Sequence, residues 1–112
     1  YDVYLLSQTP PRWHYTDKDD RYNRAGDILL VPKWPKIFSI RKRKASPGQH
    51  GFDNAIRDMH ASFYAWGPAF KKGLTIEAFE NVHVYPLIAT MLGLTISEQI
   101  DGKAAVLQPV LR

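Results

Sequence analysis

Four histidines, His14, His50, His60 and His83, are the side chains in this sequence best suited to hold a metal ion or move a proton. Their spacing sets a limit. No two stand at i, i+4, and none lies in a tight carboxylate cluster of the zincin type, so no complete metal site is visible. The absence of cysteine removes thiolate ligands, disulfides and sulfur nucleophiles. No serine occupies a Gly-x-Ser-x-Gly elbow, and Gly48 and Gly51, with a histidine between them, do not make a phosphate loop. These residues alone do not describe a complete enzyme.

His50 is the best candidate ligand. The glycine that follows it removes bulk and lets the backbone approach a bound group closely. Asp53 stands three residues on, where its carboxylate could accept a hydrogen bond from the second imidazole nitrogen or cap the next turn. His60 and His83 alternate with core positions and read as half-buried structural histidines. Trp13, His14 and Tyr15 read as packing residues, with a base-stacking platform as the alternative.

The elements that must position these groups are short. Residues 2–6 favour a strand, stopped by Ser7-Gln8-Thr9-Pro10-Pro11, and residues 12–24 show neither helical nor strand period. Ile28-Leu29-Leu30-Val31 has no alternation, as expected of a strand buried on both faces of a mostly parallel sheet. A turn at Pro32-Lys33-Trp34-Pro35 leads to a second strand over 37–40, predicting a hairpin. Residues 45–54 read as a loop that displays His50. Strands are expected over 61–66 and 74–79, separated by turns at Gly67-Pro68 and Lys71-Lys72-Gly73. Val84, Leu87, Ile88, Met91 and Leu92 share one helical face, with Asn81 as cap, Pro86 in the first turn and Gly93 as stop. An Asp101-Gly102 turn then precedes an edge strand at Val106-Leu107. The pattern predicts an α/β fold around a mainly parallel sheet.

Composition excludes other classes. At 45% hydrophobic and 23% charged, the 112 residues resemble a globular domain, not a disordered or collagenous chain. No apolar run approaches the ~18 residues of a membrane span. Much of the +4 net charge comes from Arg41-Lys42-Arg43-Lys44, which reads as a solvated segment; the rival is a small basic nucleic-acid-binding module. The sequence opens on Tyr1, and a segment of a longer protein is expected.

Several motifs together resemble one known family. They are Pro11-Arg12-Trp13-His14-Tyr15, Gly48-Gln49-His50-Gly51-Phe52-Asp53-Asn54, Arg57-Asp58-Met59-His60-Ala61-Ser62-Phe63, Gly67-Pro68-Ala69-Phe70-Lys71, Phe79-Glu80-Asn81-Val82 and Leu92-Gly93-Leu94. In this order and spacing they are similar to the C-terminal part of the catalytic domain in the nucleotide pyrophosphatase/phosphodiesterase family, within the alkaline phosphatase superfamily. The resemblance implies that residues 1–112 are the C-terminal segment of a single catalytic domain, part of an α/β sandwich with a mainly parallel sheet flanked by helices. It implies a hydrolase with two zinc ions that cleaves phosphodiester or pyrophosphate bonds of nucleotides and releases nucleoside monophosphates. His50 is then one zinc ligand and Asp53 a candidate to support it. The threonine nucleophile and the remaining ligands lie upstream, so this chain alone is expected to be inactive and to depend on the upstream part of its domain. A phosphodiesterase or phosphatase of another specificity, such as one acting on phospholipid head groups, is the alternative. The ending through Ile100-Asp101-Gly102-Lys103 is similar to bacterial members, which implies a periplasmic or secreted bacterial protein.

Overall fold

A computed structural model describes residues 1–39 and 46–112. The basic run 41–44 and the end of the expected strand at residue 40 lie outside the described residues. The chain divides into two compact units, Tyr1–Ser62 and Phe63–Arg112.

In the first unit, strand β1 (Asp2–Leu5) pairs antiparallel with β2 (Ile28–Val31), placing Val3 opposite Leu30 and Leu5 opposite Ile28. This corrects two expectations. The apolar run Ile28-Leu29-Leu30-Val31 is a strand, but Ile28 is 59% and Leu30 52% exposed, and no parallel pairing occurs among the described residues. A run of four apolar residues does not distinguish a strand covered on both faces from one with a bare face. Nor does β2 form a hairpin with 37–39. The chain turns at Lys33, whose carbonyl accepts from Lys36 N at 2.8 Å, and passes through a cis Trp34–Pro35 peptide. Phe38 instead meets Tyr1 edge-on, ring centroids 5.7 Å apart.

The connection between β1 and β2 is held by side chains. The Thr9 hydroxyl, buried, lies 2.9 Å from both the Leu6 and Tyr15 carbonyls, so its single proton is shared between them. Asp19 accepts from the Thr16 N–H and hydroxyl at 2.9 and 2.7 Å. Asp20 accepts from the Arg24 and Ala25 N–H groups at 3.0 and 2.8 Å. Those two amides hold the Asp20 carboxyl below its ordinary value, because they stabilise only the ionised form.

In the second unit, helix α1 (Val84–Met91) follows a 3-10 turn at Asn81–His83, with Pro86 near its start, where a missing N–H matters little. Gly93 ends it in a left-handed conformation: Leu94 N donates to Ala89 O at 2.9 Å and Gly93 N to Thr90 O at 3.2 Å, the two bonds of a Schellman motif. Asn81 makes no side-chain cap, and the buried residues are Pro86, Leu87 and Ala89, so the inward face is rotated from the expected stripe and leaves Ile88, Met91 and Leu92 exposed. Residues expected as an edge strand form helix α2 (Ala104–Leu107), since two alanines favour the helical turn and Leu107, 1% exposed, is drawn into the core. Leu107 packs with Leu87 and Val110 under Phe70, Phe79, Val84 and Leu111. Residues 61–66 and 74–79 join no ladder; the one bridge described in this unit pairs Phe70 with Leu111.

Gly102 locks the tail onto α1. A Cβ there would sit 2.2 Å from the Val82 carbonyl oxygen and about 3 Å from the Pro86 ring. Gly102→Ala is expected to lower the stability of the full-length protein by about 1–3 kcal/mol, as overpacking does. Gly48→Ala, in open space, should change it by less than about 0.5 kcal/mol. Equal unfolding temperatures for the two variants would contradict the contact. A second expectation concerns pH. The folded Asp20 carboxyl titrates below the unfolded one, so it stabilises its turn above about pH 4 and ceases to as pH falls through the lowered value. Hydrogen-exchange protection of the Arg24 and Ala25 amides, corrected for intrinsic rates, should therefore collapse in acid. Protection that stays unchanged while the carboxyl is titrated to its acid form would contradict this.

Candidate metal-binding loop

Short-range turns build the segment carrying His50. Gln49 Nε2 donates to the Ser46 carbonyl at 3.3 Å. Gly51, directly after His50, has φ +86, a left-handed conformation that residues with side chains resist. Asp53 closes an Asx turn, its Oδ1 accepting from the Ala55 N–H at 2.9 Å and its carbonyl from the Ile56 N–H at 3.0 Å. A 3-10 turn over Arg57–Met59 follows.

The other half of the site comes from the connection after β1. Pro11, its φ already restricted, opens the 3-10 turn Pro11–Trp13, and His14 ends it at φ +50. Trp13 packs edge-on against Tyr4 of β1 at 5.4 Å, and the Arg12 guanidinium lies 5.5 Å from the centre of the Trp13 ring. From this platform Arg12 Nη2 donates to Asp53 Oδ2 in an ion pair across 41 residues of sequence. Asn54 Nδ2 returns a hydrogen bond to the Arg12 carbonyl at 3.3 Å. Desolvation alone would raise the Asp53 carboxyl. The Ala55 N–H, the Arg12 guanidinium and the nearby Trp13 indole together outweigh it and hold the carboxyl below its ordinary value. The Trp13 Nε1 is itself buried and lacks a hydrogen bond of good geometry.

His50 is exposed, as the loop reading expects, and makes no hydrogen bond to a described residue. Asp53 shares its loop but binds Arg12 and Ala55, not the imidazole, so of the two roles open to it from sequence the structure displays the turn cap. His60, expected half-buried, is exposed at the end of its 3-10 turn. His83 is structural: its Nδ1 accepts from the Lys103 N–H at 3.0 Å. Among the described residues no three histidines or carboxylates converge as a metal site, so these residues offer a ligand, not a completed centre. Arg12 is the residue that sequence reasoning passed over. It stood inside a matching motif, but nothing local in Pro11-Arg12-Trp13 announces a partner 41 positions away. In the second unit an open groove of about 560 Å³ runs past Trp66, Pro68, Lys72 and Leu74. Its lining holds no Asp, Glu or His side chain and so presents no metal-ligand set.

No family model matches the sequence, and no solved structure matches it significantly. Curated proteins do. The chain is 54% identical over 98% of its length to ectonucleotide pyrophosphatase/phosphodiesterase family member 7 of Rattus norvegicus, covering 24% of that protein. It is 50% identical over 97% of its length to the Homo sapiens member 7, covering 23% of it. It is 34% identical over 83% of its length to bis(5'-adenosyl)-triphosphatase enpp4 of Xenopus laevis, covering 20% of it. The chain thus spans about a quarter of the length of the relatives it matches, and corresponds to their C-terminal part. These relatives are animal proteins, which overturns the bacterial, periplasmic expectation; the similarity of the ending at residues 100–103 was too short to decide the source. With half of its residues shared across nearly its whole length, the chain belongs to the nucleotide pyrophosphatase/phosphodiesterase family.

Proposed function

We propose that this chain is the C-terminal segment of a single catalytic domain that hydrolyses phosphodiester or pyrophosphate bonds of nucleotides to nucleoside monophosphates, and that His50 is one of its zinc ligands. The observation that supports this most is the His50 loop: an exposed imidazole stands on a segment that is fixed on its C-terminal side by Asp53 and Asn54. The relatives' printed names supply the reaction class.

The donor chemistry fits zinc. A neutral imidazole is among its commonest ligands and leaves the ion's positive charge undiminished. Bound as a pair, zinc ions would supply positive charge to the phosphoryl oxygens as charge develops there. His50 would present its lone pair from a loop whose glycine keeps the neighbouring backbone clear of the ion, while Asp53 acts through the turn it caps. In this reading the threonine nucleophile and the other zinc ligands belong to the remaining three-quarters of the protein, where a larger α/β sandwich of the alkaline phosphatase type would surround them. Residues 1–112 by themselves would then be inactive.

In the full-length protein, His50→Ala is expected to reduce bound zinc and to lower hydrolysis of a nitrophenyl nucleotide ester by roughly 100-fold or more, with the unfolding temperature little changed. Unchanged zinc content and activity would sink the assignment. The same assay with nitrophenyl phosphorylcholine separates substrate classes: preference for that ester over the nucleotide would retain the metal role and replace the nucleotide with a phospholipid head group.

A further inference from the structure

We propose that Arg12 is a positioning residue for the metal-binding loop: through Asp53 and Asn54 it fixes where the His50 imidazole stands. This rests on the zinc-ligand reading above and adds a residue to it.

The contacts form a continuous series. Tyr4 of β1 holds the Trp13 ring, and Trp13 lies beneath the Arg12 guanidinium. Arg12 grips the Asp53 carboxylate, and its own carbonyl receives the Asn54 amide. Two bonds of different kinds, one to the side chain and one to the backbone of the same residue, define both distance and orientation; a single ion pair between flexible side chains would define neither. Asp53 meanwhile divides its two oxygens, one to Arg12 and one to the Ala55 N–H, so the force from Arg12 is delivered into the turn itself.

His50 has no comparable fastening of its own. It is exposed, binds no described residue, and is followed by a glycine at φ +86, and the described contacts that tie its loop to the turn after β1 are those at 53–54. A zinc ion tolerates little displacement of a ligand nitrogen from about 2.0–2.1 Å, and groups that orient ligands without touching the metal typically change its affinity 10–100-fold. A half-exposed ion pair contributes little to global stability, so the loss is read at the metal and not in the unfolding temperature.

The test uses the full-length protein and three variants, Arg12→Gln, Asp53→Asn and the double variant. Zinc affinity is measured by chelator competition, and the geometry of the site by the absorption spectrum of the cobalt-substituted protein. Each single variant should weaken zinc binding about 10–100-fold and alter the cobalt spectrum, with the double variant no weaker than the worse single one. Asp53→Asn keeps the turn acceptor and size, so it carries the test if Arg12→Gln does not fold. Wild-type zinc affinity and cobalt spectrum in a folded single variant overturn the proposal. If His50→Ala loses zinc while these variants do not, only the role of Arg12 falls; if His50→Ala itself retains zinc, both readings fall.

Discussion

The ion pair between Arg12 and Asp53 is the contact that ties the turn after β1 to the loop carrying His50. It closes a long loop, whose entropic penalty grows only slowly with length, using groups that have already lost much of their freedom. Arg12 lies over the Trp13 ring, and Asp53 is also held by its Asx turn. An isolated surface pair with this exposure stabilises by about 0–1 kcal/mol. Its importance here comes from what it joins: a strand, a 3-10 turn and a loop that share no ladder and almost no core.

Apolar surface tells the complementary story. Val3, Leu5, Ile28 and Leu30, opposite one another across the β1–β2 register, stay about half exposed, and Tyr64 and Trp66 are more exposed still. A two-stranded sheet is marginal in water without something packed on its apolar face. An exposed apolar face of this kind is a surface suited to packing against a further layer of structure.

Local rules were legible in the sequence, and long-range ones were not. Helix α1 was readable because apolar spacing, an early proline and a terminal glycine all act within about two turns of one continuous segment. The display of His50 was readable because glycine, proline and serine around it exclude regular structure. The partner of Ile28–Val31 was not, since an apolar strand accepts a neighbour in either direction and only the rest of the fold decides. Val106 and Leu107 looked like an edge strand by composition, but the space beside Leu87 is filled by turning the chain, not extending it. The fastening of Asp53 by Arg12 lay furthest from reach, because the charge pattern of either segment has many equivalent partners.

At Gly102 two stretches of backbone touch with no side chain between them. Such a contact acts as a register stop. If the tail slipped by one residue in either direction, Asp101 or Lys103 would arrive at the Val82 carbonyl carrying a Cβ that has nowhere to go. The tail is therefore indexed against the start of α1 by the one residue with nothing to insert, and Leu107 and Val110 reach their places in the core because the count of residues from that point is fixed.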